Sequence, residues 1–240
     1  MRRRSMLHRA LLLPLLAVAC ATPDIHIPEG EQVRAQRDLA GGPPRFLRVA
    51  CWVGPLWDDT DKLFLTDRPT EEVNLVETPG GRPIRPPAFE RVLPPGTPVR
   101  IQRIEFPGTF TMAERVLVSP RFHPWVYLAL EGERRPLVVV LPREVKSTEE
   151  IRAELERFLS VDDPRPALAA LPPEARERVL RKEAAAGMTA PALEMAWGLP
   201  DRKRIDRPAK TEEWFWGNHR RALLREDRVV SLERLPTAPR

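Results

Sequence analysis

The chain has 240 residues, 42% hydrophobic and 30% charged, with a formal net charge of +5, which is enough for one large or two small domains with a sizeable core. It contains no glycine period, no long heptad run and no apolar stretch near 20 residues, so collagen, a coiled coil and a polytopic membrane protein are excluded. The excess of prolines (28) over glycines (12) predicts short elements joined by stiff connectors.

Residues Met1 to Arg9 carry four arginines and form a basic opening, followed by the apolar run Ala10 to Ala19 and then Cys20. A basic start, a short apolar stretch and small residues before a cleavage point are the pattern of an export signal over residues 1–19. Leu16-Ala-Val-Ala-Cys20 resembles a bacterial lipobox. That resemblance implies cleavage before Cys20 and acylation of its thiol with fatty acids such as palmitate. Simple secretion and a buried structural cysteine are the alternatives. Acyl chains contribute about 0.8 kcal/mol per buried methylene and hold a protein on a bilayer without a spanning helix. Residues 20–44, polar and proline-bearing, are expected to be the lipidated cysteine and a flexible tether. Arg2, Arg3, Arg4 and Arg9 leave with the signal, so 35 basic residues then face 34 acidic ones. The near-neutral remainder has no electrostatic footprint for nucleic acid.

Residues 45–160 are expected to be a β-rich domain ending in an amphipathic helix. Phe46 to Val53 is rich in β-branched and aromatic residues and stops at Gly54-Pro55. Residues 77–88 hold Pro79-Gly80-Gly81 and three further prolines, which predicts a long surface excursion. From Val99 the alternation runs through Ile101 and shifts phase at Ile104 and Phe106, as a bulge would require. Three more strands are expected at Glu114–Ser119, Trp125–Leu130 and Pro136–Leu141, the last two apolar enough to be buried on both faces. The Pro-Gly-Thr-Pro-Val-Arg-Ile entry ending at Ile101 resembles the one in Src-homology-3-like barrels, with another small β domain as the alternative. Ser147-Thr-Glu-Glu150 is a capping box ahead of Ile151, Leu155, Phe158 and Leu159 at helical spacing.

Residues 161–169, with Asp162-Asp-Pro-Arg-Pro166, read as a linker. A helix is expected from Pro173 to Ala186, closed by Gly187, and a second from the N-cap Thr189 to Trp197, closed by Gly198. After a basic loop, residues 212–217, 221–226 and 228–233 read as a meander of two or three strands. The series Gly187-Met-Thr189, Gly198-Leu-Pro-Asp201, Trp214-Phe-Trp216 and a turn at Asp227-Arg228 before Val229-Val230 resembles the BamE (SmpA/OmlA) group of outer-membrane lipoproteins. The resemblance covers residues 170–234 and implies a two-helix, antiparallel-sheet domain. It also implies a non-enzymatic role in building or bracing the outer membrane. Residues 235–240 are left as a tail.

Chemical motifs are sparse. There is no Cys-x-x-Cys and no His-Glu-x-x-His, His26, His123 and His219 are far apart, and no serine-hydrolase, phosphate-loop or dinucleotide motif occurs. No catalytic residue, metal site or cofactor is therefore expected. His123 reads as a packed or surface histidine and His219 as part of a hairpin turn. Asp58, Asp59 and Asp61 read as a solvated loop rather than a calcium site. Cys51, beside Trp52, reads as a small buried hydrophobe or else a reactive thiol. Trp214 and Trp216 share one face of a strand; they are expected to pack on the helices, or, if exposed, to be a protein-contact patch. Arg202-Lys-Arg204, Arg207 and Lys210 read as a solvated loop or an anionic-headgroup contact.

The expectation is an α+β envelope lipoprotein facing the periplasm from the outer membrane. Its partners would be the bilayer, through acylated Cys20, and an outer-membrane assembly or other envelope protein. The alternative is a ligand- or cell-wall-binding module using the β domain.

Overall fold

A computed structural model describes residues 27–234; the expected signal 1–19, Cys20 and the tail 235–240 lie outside them. The described chain is mixed α+β, with one eight-stranded sheet, one four-stranded sheet and six α-helices.

The larger sheet takes its strands from the first two thirds of the chain. They are β1 (Arg45–Leu47), β2 (Cys51–Leu56), β3 (Asp59–Thr66), β4 (Arg91–Leu93), β5 (Pro98–Glu105), β6 (Trp125–Leu130), β7 (Leu137–Val140) and β8 (Leu159–Ser160). Their order is β4-β2-β3-β7-β6-β5-β1-β8, antiparallel throughout except for the parallel pair β3 and β7. The alternation of side chains along a strand sorts the apolar runs into two cores. Leu63, Leu65, Val126, Leu128, Leu137 and Val139 face the first, where α1 (Glu29–Leu39) and α3 (Thr148–Phe158) pack. Phe64, Trp125, Tyr127 and Val138 face the second, beneath Val73, Leu75, Val76, Ile84 and Phe89 of the long connection between β3 and β4 that includes the proline-rich excursion. The strands β6 and β7 are thus buried on both faces, as their unbroken apolar runs predict. The expected phase shift in β5 is a register slip between Ile101 and Arg103.

The helix α3 starts where the capping box places it, with Ser147 Oγ accepting the Glu150 amide at 3.2 Å. The C-terminal part holds α4 (Arg165–Ala169), α5 (Pro173–Leu180) and α6 (Ala190–Trp197), then an antiparallel meander. Its strands are β9 (Arg202–Asp206), β10 (Thr211–Trp216), β11 (Arg220–Arg225) and β12 (Arg228–Arg234). Thr189 caps α6, and Gly198, at φ +88°, closes it.

Several expectations need correction. The segment 20–44 is not all tether, because residues 29–39 form α1. Its apolar residues are too few to mark a helix by period, but Ala35 and Leu39 are buried one turn apart and Gln36 Oε1 accepts the Ile104 amide at 2.8 Å. No strand forms at 114–119. Residues Thr109–Glu114 are the short helix α2, and Arg115 turns inward to pair with Glu105 and stack 3.8 Å over the Trp125 ring. Residues 161–169 carry α4, whose Leu168 joins the C-terminal core. The helix expected to reach Ala186 stops at Leu180, because Lys182 takes a left-handed conformation (φ +56°). The basic stretch from Arg202 is an edge strand rather than a loop. Finally, the last hairpin turns at Glu226-Asp227, one residue before the expected position, and both residues have positive φ.

Candidate functional site: a cleft beside a buried charge cluster

Past Thr66 the chain leaves β3 through Asp67 and Arg68 and makes a 3-10 turn over Thr70–Glu72. This segment faces residues 119–123 ahead of β6, residues 140–144 after β7, and the last turns of α3. Between them lies a cleft of about 840 Å³, lined by residues of the 45–160 part. Its size is that of a small-molecule site, for which about 300–1,000 Å³ is usual.

One wall is fixed by Arg115. Its guanidinium donates to the carbonyls of Arg121 (2.7 Å) and His123 (2.8 Å) and is held by Glu105 Oε1. His123 is therefore set deep in the wall, 8% exposed, with Nδ1 2.8 Å from the Leu141 carbonyl. A carbonyl can only accept, so Nδ1 carries the proton and Nε2 is left as a lone pair without a partner among the described residues. Burial pushes the imidazole pKa down to about 4, so the ring is neutral.

Asp67, which lines the same cleft, is 4% exposed and accepts no hydrogen bond from any described residue. Its Oδ2 rests against Gly198, where a Cβ would fall 2.1 Å away. Glu72, also lining the cleft, is paired instead. Arg220 of β11 donates to both of its oxygens at 2.6 and 3.0 Å, and Arg220 Nη1 lies 3.5 Å from the Trp197 carbonyl. Behind these groups Lys182 donates to the carbonyls of Ala50 and Ala196 and sits 4.6 Å over the Trp52 ring. Burial lowers its pKa to about 8, and burial raises that of the adjacent Cys51 thiol to about 12. Two cations, Lys182 and Arg220, and two carboxylates, Asp67 and Glu72, thus gather where the two sheets meet, but only Arg220 and Glu72 bond to each other. At the cleft rim, Arg68 and Arg157 both reach Asp201 Oδ1 at 2.9 Å.

The cleft offers hydrogen-bond acceptors rather than an activated nucleophile. Its two buried alcohols are both engaged: Ser119 donates to the Val116 carbonyl at 2.7 Å, and Thr66 Oγ1 accepts the Arg68 amide at 3.1 Å. Among the described residues no group of three or more His, Cys, Asp or Glu is placed to hold a metal ion, and no helix is long and apolar enough to cross a membrane.

The residues singled out from sequence fall elsewhere. Cys20 lies outside the described residues. Trp214 and Trp216 are each 2% exposed, so neither offers the exposed ring that a contact patch requires. Trp216 meets Trp197 edge-on at 5.2 Å and donates to the Gly198 carbonyl, and Trp214 donates to Glu212. Trp216 thereby holds the loop at Gly198 that presses on Asp67. Cys51 is fully buried, the hydrophobe of the two expectations. Asp67, Glu72, Lys182 and Arg220 carry no motif, and what marks them is only their burial in the fold.

Comparisons with family models, with curated proteins and with solved structures found no match for this chain.

Proposed function

We propose that the protein is an exported, non-enzymatic envelope lipoprotein, anchored through acylated Cys20 at the outer membrane and facing the periplasm, whose folded part binds a small ligand. The observation that carries the binding role is the cleft, in which Asp67 and His123 present acceptors that nothing in the fold uses. Neither the Asp67 oxygens nor His123 Nε2 is among the fully enclosed polar atoms without a partner, so they open to the cleft, where a ligand's donors can replace water. The anchor rests on the basic opening, the apolar run and the lipobox-like Leu16 to Cys20. The eight residues between Cys20 and Glu29 span at most about 30 Å, which keeps the folded part close to the bilayer.

A second reading follows from the likeness of residues 170–234 to the BamE group, namely an accessory factor that contacts outer-membrane assembly proteins. The feature favouring it is β9, an edge strand whose five residues, Arg202 to Asp206, are all exposed. Such an edge can pair with an extended segment of another protein. Within the β part, the Pro-Gly-Thr-Pro entry to β5 supports a Src-homology-3-like reading.

The test is metabolic labelling with an alkyne fatty acid and membrane fractionation, with Cys20→Ala alongside. Label and outer-membrane association lost in Cys20→Ala support the proposal. Equal membrane association and no label in either form overturn the anchor. In-cell crosslinking that enriches assembly proteins only when residues 170–240 are present would favour the second reading.

A further inference from the structure

The charges around the cleft divide into those already satisfied and those left over. Glu72 is held by Arg220, Arg68 and Arg157 by Asp201, and Arg121 by the Met112 carbonyl at 2.9 Å. Asp67, Glu77, Glu144 and Glu154 take no ion pair or side-chain hydrogen bond among the described residues, and all four line the cleft. Against them stand Arg143, whose guanidinium lies 5.7 Å from the Phe122 ring, and Arg121, whose carbonyl partner leaves its charge uncompensated. Counted over the whole lining, five carboxylates stand against four guanidinium groups, a formal balance of −1.

Among the four carboxylates without a partner, Asp67 is the deepest. Lys182 lies within electrostatic range of it but gives its hydrogen bonds to two backbone carbonyls, and Arg220 gives its own to Glu72 and Trp197. For a carboxylate more than nine-tenths buried and without a donor from the fold, a charge-assisted donor from a ligand is the strongest match. His123 Nε2 adds a second, uncharged acceptor in the same cleft, again more than nine-tenths buried. An anionic ligand would find two acceptors at this depth where it needs donors.

We propose that the cleft recognises a small ligand through an ammonium or guanidinium group seated against Asp67, with His123 Nε2 accepting a further hydrogen bond from it. This rests on the reading of the cleft as a binding site and adds the chemical class of what enters. Gly198 belongs to the same device. Having no Cβ, it lets the backbone after α6 close on Asp67 and keep the carboxylate in place without donating to it.

The test uses the full chain in detergent micelles, titrated by calorimetry with L-lysine, L-arginine and putrescine, and with glutarate and glucose as anionic and neutral controls. Asp67→Asn keeps the side-chain size and removes the charge; an unchanged urea midpoint shows that it folds. The expected result is binding of at least one amine or guanidine probe, weakened at least tenfold in Asp67→Asn, with glutarate inert. Amine binding that Asp67→Asn leaves unchanged overturns the proposal. Glutarate or glucose binding in the absence of amine binding overturns it while leaving the cleft as a binding site, and the absence of any binding, extended to a wider panel of fragments, overturns both.

Discussion

Arg220→Met tests whether the two sheets are held together as the geometry indicates. The Arg220 and Glu72 side chains are 4% and 2% exposed, and their two contacts of 2.6 and 3.0 Å form a bidentate pair between β11 and the turn after β3. Methionine can fill much of the space between Trp197 and Trp216, whose rings lie 5.0 and 5.7 Å from the guanidinium. What it cannot do is donate, so Glu72 is left as an uncompensated buried charge. Removing one partner of such a pair costs about 3–5 kcal/mol, whereas replacing both by apolar or neutral groups is often close to neutral. Urea unfolding should therefore show Arg220→Met destabilised by about 4 kcal/mol and Glu72→Gln by a similar amount. The double variant should recover most of the loss, giving a coupling of more than about 2 kcal/mol. A single Arg220→Met loss below about 1 kcal/mol, or effects that simply add, would refute the reasoning and mean that the two parts are docked by their apolar contacts alone.

Gly198→Ala places a Cβ 2.1 Å from Asp67 Oδ2 at a residue with φ +88°, and both the clash and the backbone strain oppose it. A loss of about 3 kcal/mol is expected, read as a lower thermal midpoint; an unchanged midpoint would show that Asp67 moves aside freely. Cys51 is fully buried and its thiol pKa stands at about 12, so in a Cys20→Ala chain a disulfide reagent at pH 8 should label nothing until urea unfolds the protein. Labelling of the native chain faster than it unfolds would contradict that placement. For His123, the folded pKa of about 4 lies below the ordinary 6.5, so between these values the unfolded chain holds the extra proton. Stability should then fall as pH drops from about 6.5 to about 4, by up to about 3 kcal/mol, and level off below; a His123→Gln chain should lack that part of the slope.

Elements written in local pattern were legible. Ser147 and the apolar spacing behind it specify α3, Thr189 and Gly198 bracket α6, and the unbroken runs of β6 and β7 announce strands covered on both faces. Each is set by neighbours a few residues away, through caps, periodicity and φ preferences. The helix α1 was not legible, since its stability comes from Ile104, Thr148 and the sheet beneath rather than from its own composition. The same holds for Arg115, which looked like the start of a strand and is instead the clamp that shapes the cleft wall.

The sequence by itself determined the mixed α+β class, most element positions and the export and lipidation expectation at Cys20, because all of these are local signals. Only the tertiary structure decided that Trp214 and Trp216 are interior and that Asp67 and His123, far apart in the chain, line one cleft while Gly198 presses on Asp67 from outside it. The reason is physical. A carboxylate or imidazole is an ordinary solvated group in sequence, and it becomes a candidate site only when packing removes water from it and the fold supplies no partner.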